Sequence, residues 1–194
     1  MTTTTFTIPG SGGDGISFGT GNDGTLTVQV GPTGAKVNAM VFDAAGHASM
    51  PQNVVAFRAY SLVAQSFANS TFTKVALATK LFDTASAFDN VTNNRFQPLV
   101  SGYYQINGQI NFVGASAGYV QAAIYKNGAQ YSPGSACANN TSTGGSGLVA
   151  DVVYLNGSTD YVELWGWQNS GGALTLIQIG NGANYFSGSL LAKA

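Results

Sequence analysis

Carboxylates, a histidine and a thiol are the side chains that carry most enzymatic chemistry, and this chain has few of them. Glu163 is its only glutamate, and its seven aspartates stand mostly in turns. Glycoside hydrolysis needs two carboxylates placed on either side of the bond that breaks. Asp14, Asp23, Asp43 and Asp160 read instead as turn formers, because a short carboxylate bonds its own backbone. His47, the only histidine, follows Gly46 in a turn-like stretch and has no sequence signal of a catalytic partner. Cys137 stands alone, so no intrachain disulfide framework is expected. No loop is rich enough in aspartate to read as a calcium site. The expectation is a protein that is not an enzyme, with no cofactor and no metal.

The side chains left for function are aromatic rings and amides. Tyr161, Glu163, Trp165 and Trp167 alternate with Val162 and Leu164, and Tyr119 and Tyr125 sit opposite Val120 and Ile124. Successive side chains of a strand point to opposite faces. With the Val and Leu faces inward, the aromatic faces point out, and exposed aromatic area of that size marks an interface. Burying one Trp removes on the order of 200 Å². At roughly 25 cal/mol/Å² this is several kcal/mol per subunit before entropy losses. Packing between subunits or within an ordinary core is the commoner use of such rings, and stacking on sugar faces is the other. Asn139 and Asn140 lie in the polar stretch Ala136 to Ser146, read as a loop. Loops on rigid sandwiches often carry contacts. The candidate interface or ligand-binding residues are therefore Tyr161, Trp165, Trp167, Tyr119, Tyr125, Asn139 and Asn140.

What positions them is an all-β chain. Charged residues make up 8% of the 194, against about 25% in an ordinary soluble domain. Aromatics at 11% argue against disorder. The seven Lys and Arg are scattered singly, which disfavours nucleic-acid binding. No apolar run approaches the ~20 residues of a membrane span. Met1-Thr-Thr-Thr-Thr-Phe6 lacks the basic and apolar regions of a signal peptide, so synthesis in a cytoplasm is expected, with the protein staying there or leaving by lysis.

Residues 1–52 read as an N-terminal β arm. Thr2 to Ile8 is extended and Pro9 to Gly15 is a Gly-rich turn. Asn22-Asp23-Gly24 turns the chain into a strand in which Leu26, Val28 and Val30 alternate with polar residues. Gly31-Pro32-Thr33-Gly34 breaks it, and Val37 to Phe42 is another strand. So small a sheet is marginal alone in water. Residues 53–194 read as a sandwich. Strands are expected at Val54 to Ala59, Val75 to Leu81, Thr92 to Pro98, Tyr104 to Phe112, around Val120 to Ile124, Leu148 to Leu155, Tyr161 to Trp167, Leu174 to Ile179 and Tyr185 to Leu191. Tyr104 to Phe112 has the cleanest alternation, with Gln105, Asn107, Gln109 and Asn111 on its polar face. Asn127-Gly128 is a type I′ hairpin signal.

One series of short phrases is more specific. It runs Phe82-Asp83-Thr84, Phe96-Gln97-Pro98, Ser101-Gly102-Tyr103-Tyr104, Lys126-Asn127-Gly128, Tyr154-Leu155-Asn156-Gly157 and Phe186-Ser187-Gly188. In order and spacing it resembles the globular head of complement component 1q and its tumour-necrosis-factor-like relatives. The resemblance implies an antiparallel jelly-roll sandwich and a homotrimer that binds and does not catalyse. The first fifty residues, with the phrase Phe42 to Asn53, look like repeats of bacteriophage fibre and tail proteins. Together these imply a bacteriophage virion surface protein. Its arm would hold other virion proteins, and its trimeric head would meet a host-surface glycan or protein. A capsid cement or decoration protein is the nearest alternative. A glycan-degrading tail spike fits the scarcity of acids poorly, and a secreted bacterial adhesin fits the absent signal peptide poorly.

Overall fold

The computed structural model describes residues 17–20, 25–31, 35–49, 55–114, 117–138 and 144–194. The expected arm Thr2 to Ile8, the turns Pro9 to Gly15, Asn22-Asp23-Gly24 and Pro32-Thr33-Gly34, and the phrase Met50 to Asn53 lie outside these residues. The chain divides into two compact units, residues 1–54 and 55–194.

In the first unit, β1 (Ser17–Thr20), β2 (Leu26–Val30), β3 (Val37–Phe42) and β4 (Ala48–Ser49) form one antiparallel sheet in sequence order. The two longer strands have the bounds their alternation predicts. The β3–β4 connection is held by Asp43. Its carboxylate accepts from the backbone N–H groups of Ala45 and His47 and meets the His47 ring at 2.9 Å. These bonds, the His47 ring first, hold the Asp43 carboxyl below the usual aspartate range. His47 therefore has a carboxylate partner, but the pair belongs to an exposed turn.

The second unit contains β5 (Ala56–Tyr60), β6 (Ser66–Phe67), β7 (Thr73–Lys74), β8 (Thr79–Asp83), β9 (Phe88–Asp89), β10 (Arg95–Phe96) and β11 (Ser101–Phe112). It continues with β12 (Tyr119–Lys126), β13 (Ala129–Pro133), β14 (Cys137–Ala138), β15 (Gly145–Asn156), β16 (Val162–Gln168), β17 (Leu174–Thr175) and β18 (Tyr185–Lys193). The first sheet has the order β15-β11-β18-β5-β8. The second has the order β13-β12-β16-β10-β9, with β14 added to β12 and β7 to β16. β6 and β17 pair separately. All pairings are antiparallel, and the two sheets pack face to face as a jelly-roll sandwich.

The core is where the inward sets of both sheets meet. Phe57 of β5 stacks on Phe96 at 4.2 Å between ring centroids and on Phe88 at 5.1 Å, and meets the edge of Phe186 at 5.4 Å. Tyr104 closes this group against Phe96, and its hydroxyl donates to the Val100 carbonyl at 2.7 Å. Burial pushes that hydroxyl up to about 12. At one margin the sheets touch through backbone. Gly147 of β15 lies against Ala122 and Gln121 of β12, and Gly134 lies against Leu148 and Ala122. There the Gly134 N–H donates to the Ala122 carbonyl at 2.9 Å.

Several boundaries differ from expectation, each for a physical reason. Val75 and Leu77 are buried as alternation requires, but Ala76 and Leu77 give their N–H groups to Gln65 and Asn94 side chains. The strand begins only at Thr79. The Thr92 to Pro98 region yields just Arg95–Phe96. Asp89 folds the preceding turn by accepting from Val91, Thr92 and Asn93 N–H groups, and these bonds bring its carboxyl to about 2. β15 starts at Gly145 rather than Leu148, and Cys137–Ala138 is a strand paired with β12 rather than loop. Leu174 to Ile179 reduces to the two-residue strand Leu174–Thr175, followed by a single bridge from Leu176 to Phe112. Asn127 and Gly128 have φ of 53° and 81°, as the hairpin signal demands.

Candidate interaction surface

The outer face of the second sheet carries most of the candidate residues. On it Tyr125 stacks on Trp165, 4.3 Å apart and 17° from parallel. This is a diagonal contact, since Trp165 is registered with Ala123 and Tyr125 with Glu163. Phe72 enters from the chain just before β7 and lies 5.8 Å from Tyr125 and 6.3 Å from Trp167. Its position follows from β7 pairing with Trp165 and Gly166 of β16. The rings therefore point out of the sandwich, as expected, yet they half-bury one another. Partial burial raises the Tyr125 hydroxyl above its ordinary range. Tyr161 stands on the same side beneath the Arg95 guanidinium, 4.3 Å from its ring centre.

Glu163 lies beneath this layer and is only 5% exposed. It accepts from Lys74 Nζ at 3.1 Å and from Trp165 Nε1 at 3.0 Å. The single glutamate is thus committed to holding the aromatic layer. Glu163→Ala is expected to cost about 2 kcal/mol, because it strands an ammonium and an indole N–H. Lys74 is partly exposed and can recover some water contact, which keeps the loss below that of a fully buried pair. Glu163→Gln should lose less, since an amide oxygen still accepts from the indole. Denaturant titration checks both, and equal losses would disprove the bonding role.

The other candidates are not gathered there. Tyr119 is 52% exposed at the far end of β12, where its N–H donates to Asn169 Oδ1 at 2.6 Å. No ring contact joins it to the cluster among the described residues. Asn139 and Asn140 lie outside the described residues.

A second surface was not assigned from sequence. On the outer face of the first sheet, Tyr103, Leu148, Val152 and Tyr154 are 49%, 50%, 42% and 40% exposed. Tyr103 and Tyr154 are registered partners with rings 5.5 Å apart, and Leu191 lies open beside them at a bulge. The remaining outward positions of β11 and β18 are mostly amides and hydroxyls: Gln105, Asn107, Gln109, Asn111, Ser187 and Ser189. A shallow hollow of about 320 Å³ opens on this side, lined in part by Asn107, Leu148, Ala150 and Tyr185. The signal for this surface was present in β15. Leu148, Ala150, Val152 and Tyr154 are apolar, and the alternate set Val149, Val153 and Leu155 is apolar too, interrupted only by Asp151. A strand apolar on both alternations is one covered on both faces.

No protein-family model matches the chain, and no curated protein matches it. Solved structures do. The chain is similar to murine APRIL at pH 8.5, with 12% identity and a TM-score of 0.51, over 72% of this chain and 100% of that one. It is similar to an Eiger TNF structure from S. frugiperda, with 12% identity and a TM-score of 0.51, over 73% of this chain and 94% of that one. It is also similar to the PRD1 vertex protein P5, with 14% identity and a TM-score of 0.51, over 72% of this chain and 97% of that one. At these identities the likeness concerns the fold, which is the jelly roll of tumour-necrosis-factor-like heads.

Proposed function

We propose that this chain is a non-catalytic, homotrimeric structural protein of a bacteriophage virion surface. Residues 1–52 hold it to the particle, and the jelly-roll head projects outward and serves adhesion to a host surface. The observation that carries this reading is the uncharged outer face of β11 and β15. Tyr103, Leu148, Val152, Tyr154 and Leu191 together leave on the order of 400 Å² of apolar surface open, as much as monomers usually tolerate. A second and third copy of the chain is the occupant that suits it. The likeness of fold to a vertex protein supports a place on a virion. Three weak sites per trimer, repeated over a particle, suit adhesion through avidity.

Sedimentation of the full chain tests the trimer. The mass of three chains is expected, and a monomer at micromolar concentration would overturn the reading. The double substitution Val152→Asp with Tyr154→Asp should reduce the mass three-fold and leave the fold intact, since both side chains point away from the core. Imaging of particles carrying the protein tests the role. Heads standing free of the surface are expected. Heads and arms both held against neighbouring shell subunits would replace adhesion with cement.

A further inference from the structure

The sheet of the first unit has one apolar face, and nothing among the described residues of the unit covers it. Registered pairs of an antiparallel sheet share a face. Leu26 pairs with Phe42, Val28 with Met40 and, past a bulge, Val30 with Val37, so these six side chains lie together. The opposite face carries Thr27, Gln29, Asn38 and Val41, with Gln29 Nε2 donating to Asn38 Oδ1 at 2.9 Å. Among residues 25–31 and 35–49 none is buried. Leu26, Val30 and Val37 are 36%, 40% and 44% exposed. A sheet that is hydrophobic on one face must bury that face against another element.

We propose that the face is covered by its own copies. In the trimer, the three sheets meet through Leu26, Val28, Val30, Val37, Met40 and Phe42 and form a second trimeric assembly. This rests on the trimer proposed above. Three points favour copies of the same chain over a different occupant. The face carries no charge, so meeting itself brings no like-charge repulsion. Only residues 50–54 separate Ser49 from Val55, a tether of at most about 20 Å. A trimer of heads therefore holds three sheets at an effective concentration of about millimolar or more. The open apolar area is on the order of 300 Å² per copy, well short of the roughly 800 Å² per partner of a stable free interface. Such a face is too small to capture an untethered partner but sufficient between tethered copies. The polar Thr27 and Gln29 face then remains for contact with the particle.

Cross-linking of the full chain tests this. In a Cys137→Ala background, Met40→Cys places a thiol on the apolar face and Thr27→Cys places one on the polar face. Val28→Cys repeats the apolar position in case Met40→Cys disturbs folding. A short bismaleimide should join Met40→Cys chains into covalent dimers on a denaturing gel at least ten-fold more than Thr27→Cys chains. Trimers by sedimentation with equal or no cross-linking at the two faces would overturn the inference and leave the trimer standing. A monomer by sedimentation would remove both.

Discussion

Phe57→Ala should destabilise the head by about 3–5 kcal/mol, the usual cost of removing a large buried ring. The side chain is fully buried, and it touches aromatic partners on both sheets: Phe88 and Phe96 on one side, Phe186 on the other. A cavity there cannot close easily, because each of those rings is held by a strand of its own. The ring contacts add about 0.5–1.5 kcal/mol each beyond area burial. The loss is read as a fall in the denaturation midpoint at fixed protein concentration, since assembly shifts apparent stability. A change under about 1 kcal/mol would mean that this stack does not tie the sheets together.

A comparable effect from a much smaller change is expected at Gly147. A Cβ there would lie 2.5 Å from the Ala122 nitrogen and 2.8 Å from the Gln121 carbonyl carbon. Both are main-chain atoms of β12, so no rotamer change relieves the clash, and the margin where β15 crosses β12 must open. Overpacking in a core costs roughly 1–3 kcal/mol when side chains can yield, and here they cannot. Gly147→Ala should therefore lose 3 kcal/mol or more, or fail to fold. The control is Gly182→Ala, whose Cβ meets nothing within 4 Å, and it should stay within about 0.5 kcal/mol. If Gly147→Ala is as stable as that control, the close crossing is not a constraint on the fold.

These two positions also show what the sequence made legible. Tyr104 to Phe112 and the pairs around Val28 and Met40 announce themselves because one face is apolar and the other is not. Gly145 and Ser146 read as loop and Gly147 falls before the expected strand, because small residues carry no hydrophobic signal, and the missing side chain of Gly147 is what lets backbones touch. Phe88–Asp89 and Thr73–Lys74 are too short to show a period. The grouping of Trp165 with Trp167 follows from alternation. The approach of Phe72 to Tyr125 and Trp167 does not, since it depends on a segment far away in the chain. The exposed face at Val152 and Tyr154 was passed over for another reason. A run apolar on both alternations, broken only by Asp151, signals a strand clearly but does not say which side is left open.

Strand β18 sits between β11 and β5 in the middle of the first sheet. Phe57 pairs with Gly188, about 130 residues later. At a synthesis rate of roughly 5–20 residues per second, β5 leaves the ribosome on the order of 10 s before its partner does. Through that interval Phe57, Phe88 and Phe96 have no completed sandwich to enter. The nascent head must travel as an unfinished, sticky chain. A product cut short before Tyr185 lacks the central strand that joins its two halves, and it should be cleared or aggregate rather than assemble.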